Sequence, residues 1–317
     1  MNIALPEQVQ RFRADLAALA GPAPPAFGVA VSGGPDSLAL LLLAAAAFPA
    51  QVEAATVDHG LRPQAAAEAA FVGDLCVARG IAHATLTGPA IQGNVQAGAR
   101  ALRYQLLGGW ARGRGLGFVL TAHHQDDQAE TLLMRLQRGA GLAGLAGIRP
   151  RAEIEGLKVL RPLLGWRRVE LGEIVAGAGL VPVEDPSNRD DRFDRARLRK
   201  QLAGAAWLDA AALARSAAAL GEAEEALDWT VEQLIAERTD GAQGGLTFDA
   251  TDLPAELRRR ALIRLLALLV PADPPRGEAV QRLLAALEAG EIATLAGVRC
   301  AGGPVWRLGP EGPRRAS

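Results

Sequence analysis

Lysine is almost missing from this chain: of 34 basic residues only Lys158 and Lys200 are lysine, and all the others are arginine. A GC-rich genome produces that bias without any function, but arginine also grips phosphate through two parallel hydrogen bonds, so where the arginines cluster matters more than their number. Cysteine is equally scarce. Cys76 and Cys300 stand far apart and no CxxC pair exists, which argues against a zinc ribbon, a redox dithiol or a cluster on paired cysteines. Long apolar runs are missing too: the longest, Leu38 to Phe48, is too short for a bilayer and reads as a buried helix. The first turns mix Glu7, Arg11, Arg13 and Asp15, with no basic stretch leading into an apolar leader, so a cytoplasmic protein with no membrane partner is expected. A net charge of −1 excludes a surface that is basic all over.

What is present is a soluble balance, 50% hydrophobic and 22% charged, over 317 residues. That length suits one large domain with a smaller one or a helical appendage. Up to about residue 185, short β-rich runs alternate with Ala/Leu-rich helical stretches, the pattern of a Rossmann-like parallel α/β sheet with flanking helices. The expected strands are Phe27–Val31, Val52–Val57, Ala82–Thr87, Phe118–Ala122 and Val181–Glu184, with a hairpin-like insertion over Gly147–Leu163 that turns at Glu153, Glu155 and Gly156. Leu202–Arg238 reads as nearly uninterrupted helix with Trp207 and Trp229 as packing anchors, broken by Gly241–Gly245. The remainder reads as a small, mostly helical C-terminal domain with helices near Pro254–Leu269 and Gly277–Leu287 and an extended finish.

The most informative segment is Val29-Ala30-Val31-Ser32-Gly33-Gly34-Pro35-Asp36-Ser37-Leu38, an apolar strand that runs through two glycines into a helix. Consecutive glycines let backbone amides turn toward an anion, and the helix N-terminus aims its free N–H groups at the same spot. Ser32 and Ser37 add hydroxyls. Asp36 would repel a bare phosphate, so it suggests a Mg²⁺ ion between carboxylate and phosphate. The blander reading is a plain turn with Ser32 or Asp36 as helix cap. No GxxxxGK[ST] occurs, which excludes a Walker-type NTPase, and Gly139-Ala140-Gly141-Leu142-Ala143-Gly144 follows a helix rather than a strand, which removes the dinucleotide reading.

Three further segments bear on a site. His59, in Val57-Asp58-His59-Gly60-Leu61-Arg62, follows the second strand, at either a nucleotide edge or a structural position. Arg100 and Arg103 lie near one helical turn apart before Tyr104, on either a ligand-facing or a solvated face. In Thr121-Ala122-His123-His124-Gln125-Asp126-Asp127 a strand end enters a helix, His123 and Asp127 are four apart, and Asp126 or Asp127 could cap; a hard cation on Asp127 suits this set better than zinc. Two basic regions interrupt the neutral chain: residues 186–200, with six cations against three acids, and residues 253–317, with ten arginines against six acids. Both fit an RNA backbone or solvated helix faces equally well.

The Ser-Gly-Gly-Pro-Asp-Ser string resembles the PP-loop of the N-type ATP pyrophosphatases. Together with VDHGLR, ARALRY, TAHHQDDQAET, RGAG, RPLL and EDPSNRDDRFDRARLR, in that order over residues 25–205, it resembles the tRNA(Ile)-lysidine synthase family in its short form. The resemblance implies a catalytic domain over 1–205, a helical linker over 206–240 and a tRNA-binding domain over 241–317. It implies ATP as substrate, bound by Ser32, Gly33, Gly34, Pro35, Asp36, Ser37 and His59. Mg²⁺ would sit on Asp36 and Asp127, with Arg103 and His123 at the reacting groups and Arg195 and Arg199 toward substrate or tRNA. The partners it implies are a tRNA(Ile) with a CAU anticodon and free L-lysine; a homodimer is compatible with it. In such an enzyme the cytosine C2 oxygen attacks the ATP α-phosphate with loss of pyrophosphate, and the lysine ε-amine then displaces AMP. A PP-loop tRNA thiolase and a non-catalytic RNA-binding module with a vestigial loop are the competing readings.

Overall fold

The computed structural model describes residues 5–60, 64–89, 95–183, 194–205, 207–242, 244–270, 275 and 277–311. The chain divides into two compact units, Met1–Gly221 and Glu222–Ser317. In the first, α1 (Pro6–Ala20) precedes β1 (Phe27–Ala30), α2 (Pro35–Ala47), β2 (Val52–Asp58), α3 (Gln64–Val77), β3 (Ala82–Thr87), α4 (Val95–Arg114), β4 (Val119–Leu120), α5 (Gln125–Gln137) and α6 (Leu142–Leu145). There follow β5 (Arg151–Ile154), β6 (Leu157–Leu160), α7 (Arg168–Gly177), α8 (Asp194–Gly204) and the start of the long α9 (Ala210–Arg238), whose residues from Glu222 on belong to the second unit. The sheet order is β3-β2-β1-β4-β6-β5, parallel except for the edge strand β5.

Period-two alternation sorts the strand residues onto two faces. Phe27, Val29, Ala54 and Leu120 point into a core with α1, α2, α3 and α7, whereas Ala55, Val119 and Val159 point toward α4. Position 28 is glycine because the Trp110 ring of α4 lies where a Cβ would be, at 2.5 Å. The Leu38–Phe48 run forms most of α2 as expected, with Leu38–Ala44 and Ala47 buried. Arg11 stacks on buried Trp166 at 4.0 Å, and the indole N–H donates to Asp15 at 2.8 Å.

The structure corrects several expectations. The hairpin over 147–163 is no insertion: β6 pairs with β4 and extends the parallel sheet, and its turn has Glu155 and Gly156 both at positive φ, as a two-residue hairpin requires. Residues 181–183 form no strand; the Val183 N–H instead donates to the Gly33 carbonyl, and Glu184 lies outside the described residues. The helix expected over Leu202–Arg238 is interrupted between α8 and α9. Trp207 and Trp229 anchor nothing and are 83% and 64% exposed; Trp166 and Trp306 are the tryptophans that fill cores.

The C-terminal unit is not mostly helical. It holds β7 (Thr239–Ala242), β8 (Gly245–Asp249), α10 (Ala255–Leu269), α11 (Glu278–Glu288), β9 (Ile292–Leu295), β10 (Val298–Ala301) and β11 (Val305–Pro310). The strands form an antiparallel sheet ordered β7-β8-β11-β10-β9. Phe248, Trp306, Cys300 and Val298 on one face pack with Leu262, Leu265, Leu283 and Leu287 of the two helices. Strands this short leave too few alternations to register as a period, and the Ala296-Gly297 turn adopts positive φ without an Asn or Asp to advertise it.

Arg260 is 6% exposed and bonds Glu224 through both terminal nitrogens, Asp228 at 3.0 Å and Glu256 at 2.7 Å. Arg259 and Arg260 hold the Glu256 carboxyl down to about 2. Removing one partner of a buried pair strands the other charge. Arg260→Ala is therefore expected to cost about 3–5 kcal/mol, measured as a lowered urea midpoint of the C-terminal transition, and Arg260→Lys should recover only part of it.

Candidate active site

In an open α/β sheet ligands settle where the strand order reverses, outside the carboxyl ends of the strands. Here β1 leads to β2 and β3 on one side, whereas β4 lies on its other side, so the crevice opens between β1 and β4. Four neighbouring parallel strands deliver polar residues to that edge: β2 is followed by His59, β1 by Ser32, β4 by Thr121 and His123, and β6 by Arg161.

The Ser32–Ser37 loop is held from within. Ser37 Oγ accepts from the Ser32 N–H at 3.1 Å and donates to the Gly34 carbonyl at 3.0 Å. Gly34, and neither Ser32 nor Asp36, is the cap of α2, with Pro35 at the first helical position. Gly33 has φ +83°, and a Cβ there would press on Val183 at 3.2 Å. Gly34 has ordinary extended backbone, and a Cβ would meet only Ser32 Oγ at 3.6 Å, so its bare face borders open space in front of the helix N-terminus.

The second half is the start of α5. His124, not an aspartate, is its cap residue, and Asp127 reaches back to accept the His124 N–H at 3.1 Å. The buried His124 ring has Nε2 3.5 Å from both Asp36 Oδ2 and Asp127 Oδ2, and Nδ1 3.7 Å from Asp126 Oδ2. Burial alone would lower its pKa, but the Asp36 hydrogen bond and the surrounding carboxylates outweigh that and raise it. Sequence reasoning singled out His123 and passed over His124, although its spacing of three from Asp127 places it one turn away. Asp126 is taken by the Arg168 N–H at 2.8 Å.

Asp36 and Asp127 therefore meet at one imidazole nitrogen, and Asp36 Oδ1 is buried without a partner. Hard oxygen donors with an unsatisfied lone pair fit Mg²⁺, which commonly takes one or two carboxylates and completes its shell with phosphate and water. Among the described residues no group of three or more His, Cys, Asp or Glu side chains could hold a metal alone, so phosphate would be needed to finish the site.

His123 Nδ1 lies 3.0 Å from Thr121 Oγ1. Burial, opposed by Asp127 and reinforced by Arg161, Arg195 and Arg100, pushes its pKa down to about 4, so it is neutral at pH 7. His59 and Arg103 form a separate neighbourhood: burial and the Arg103 charge lower the His59 pKa, and both ring nitrogens lack partners. Arg195 and Arg199 converge on Glu130, one turn beyond Asp127 on α5. Glu130 is 2% exposed; Arg199 binds it at 2.7 and 3.1 Å, and Arg195 approaches it at 3.4 Å while donating to Thr131 at 3.0 Å. Glu130 was not singled out in sequence, since a carboxylate on an amphipathic helix ordinarily reads as solvated. Leu61, Arg62 and residues 184–193, with Arg189 and Arg192 of the first basic region, lie outside the described residues.

The PP-loop domain family matches residues 5–206. Among curated proteins, the tRNA(Ile)-lysidine synthase of Novosphingobium aromaticivorans is 50% identical over 295 residues, covering 91% of this chain and 89% of that one. The tRNA(Ile)-lysidine synthase of Zymomonas mobilis is 44% identical, covering 94% and 92%. Among solved structures, the U34-tRNA thiolase of Methanococcus maripaludis superposes with a TM-score of 0.56 at 18% identity, over 68% of this chain and 78% of that one, a likeness of fold.

Gly34 offers a clean test of the loop. Valine at this extended position leaves the fold intact but projects into the space before the helix. Gly34→Val should melt within a few degrees of the parent while ATP affinity, by calorimetry, falls ~10-fold or more.

Proposed function

The chain belongs to the tRNA(Ile)-lysidine synthases, and we propose that it joins the ε-amine of free lysine to C2 of the wobble cytidine in a CAU anticodon, at the β1/β4 crevice. The observation that carries the site assignment is the meeting of Asp36 and Asp127 at the helix N-terminus that the glycine loop opens. The product would pair with A rather than G and so convert a methionine-reading anticodon to one that reads the isoleucine codon AUA.

The first step places the cytosine C2 oxygen on the α-phosphorus of ATP; a P–O bond forms, the bond to the β-phosphate oxygen breaks, and pyrophosphate leaves. The backbone N–H groups of Gly33, Gly34, Asp36 and Ser37 and the positive end of α2 would meet the charge that builds on the phosphoryl oxygens; the Ser32 N–H is taken by Ser37 Oγ and Pro35 has none. Asp36 and Asp127 would hold Mg²⁺, which when bound would neutralise phosphate charge and hold the triphosphate in line. Arg103 faces the same edge as a guanidinium donor. Neutral His123 can hold or relay a proton near the reacting groups. In the second step the neutral lysine amine attacks C2 and AMP departs with the oxygen. The proton shed by the amine needs an acceptor at this carboxylate-rich edge. Glu130 keeps Arg195 and Arg199 directed at α5, beside Asp127. The segment from residue 241 onward, with its arginine excess, would hold the tRNA, and the reaction belongs in the cytoplasm, where tRNA, ATP and free lysine meet.

The thiolase reading is weaker on the chemistry of the cysteines. Cys76 in α3 and Cys300 in β10 are both buried, and burial pushes each thiol up to about 11, so neither is a ready thiolate.

Incubation with ATP, labelled lysine and tRNA(Ile) bearing CAU should place one label per tRNA in the wobble nucleoside, identified by mass spectrometry. Pyrophosphate release without label in the RNA, or sulfur in the product, would sink the proposal. Asp36→Asn and Asp127→Asn should each slow pyrophosphate release by about 10²–10³; near-normal turnover in both removes the metal assignment.

A further inference from the structure

Three arginines gather around Tyr104 near the carboxyl edge of the sheet: Arg161 is buried, whereas Arg100 and Arg103 are exposed. Arg161 directly follows β6 and is 4% exposed; it donates to the Arg149 carbonyl at 2.7 Å and to the Tyr104 hydroxyl, and its Nε has no partner. Arg100, on α4, stands with its guanidinium 5.1 Å over the Tyr104 ring. Arg103 is one turn further along α4, beside His59. Among the described residues, none of the three is ion-paired with a carboxylate. Arg103 and Arg161 share two neighbours, the Tyr104 hydroxyl and the Arg100 guanidinium.

Arg260, the other buried arginine among the described residues, is matched by Glu224. A buried guanidinium with other guanidiniums beside it and no carboxylate raises the free energy of the empty protein, and a ligand that carries the missing charge relieves it. Arg103 is open to solvent, yet burial and the Arg100 charge lower its pKa. His59, with both ring nitrogens unpartnered, and His123 flank the cluster.

We propose that Arg100, Arg103 and Arg161, with Tyr104 as their common platform, form a phosphate seat beside the Ser32–Ser37 loop. Arg100 and Arg161 are the residues this adds to the site. The seat rests on the functional reading above, which gives phosphate two sources: the pyrophosphate leaving ATP and the phosphodiester flanking the wobble nucleotide. A dianionic or bridged phosphate suits three convergent guanidiniums, each able to bind through two parallel N–H groups. None of the variants below touches the loop or the carboxylates.

The test uses the full chain and its Arg100→Gln, Arg161→Gln and Arg161→Lys variants, each first checked by thermal melting; Arg100 is exposed, so its variant keeps the measurement alive if Arg161→Gln fails to fold. Inorganic pyrophosphate is titrated calorimetrically, and tRNA(Ile) affinity is followed against salt. A ~10-fold or greater loss of pyrophosphate affinity in both Gln variants, with tRNA affinity held and partial recovery in Arg161→Lys, supports the seat with ATP as its source. Unchanged pyrophosphate binding with weaker tRNA binding and a salt slope smaller by about one per arginine supports it with RNA as the source. Folded variants with both affinities unchanged overturn it. The readouts separate the two proposals: a product other than lysidine with lost pyrophosphate affinity leaves the seat standing, whereas normal lysidine formation with unaltered binding in the variants removes the seat alone.

Discussion

Two carboxylates that repel each other are kept against a single buried ring, and the architecture of the first unit is organised around making that contact. Asp36 comes from the helix after β1 and Asp127 from the helix after β4, so they can meet only because those strands are neighbours. The reversal of strand order at β1 supplies that adjacency and opens the crevice at the same point. His124, its charge favoured by three acids, offsets the repulsion. A cation introduced with phosphate would find both carboxylates already gathered, and the cost of bringing them together already met by the fold.

How much of this was legible in the sequence follows from the range of each signal. The glycine loop was readable because its requirements are local: two residues without Cβ, a proline at the first helical position, a serine to close the turn. The strands β1 to β3 were readable because each is a short β-rich run between Ala/Leu-rich helical stretches. What failed was non-local. Whether Leu157–Leu160 joins the parallel sheet or closes a detached hairpin depends on whether β4 has a free edge, and nothing within residues 147–163 states that. Val181–Val183 carries a strand's composition but is drawn onto Gly33 by one hydrogen bond. His124 and Glu130 escaped for a different reason: a buried polar residue looks like a solvated one until its partners, 88 and 69 residues away in Asp36 and Arg199, are placed.

The tryptophans show the same limit in reverse. Trp207 and Trp229 sit in helix-forming sequence where an aromatic ordinarily packs, yet both face outward, whereas Trp166 and Trp306, in irregular and strand segments, lie at 0% and 1% exposure. Aromatic bulk identifies candidates for a core but not which side of an element the core occupies.

The scarcity of lysine acquires a structural meaning once the arginines are located. Several spend their fork on main-chain carbonyls where helices and turns end: Arg13 on Ala47, Arg151 on Ala18 and Leu19, Arg135 on Gly144 and Gly147, Arg238 on Thr251. A guanidinium can close two such carbonyls at once, which an ammonium does less well. Because the guanidinium stays charged at every pH the cell reaches, these closures cannot be titrated away. With Lys158 and Lys200 as the lone ε-amines of the chain, an acetyltransferase acting on lysine side chains would find almost nothing to neutralise, and the charge pattern that meets phosphate is in effect fixed at synthesis.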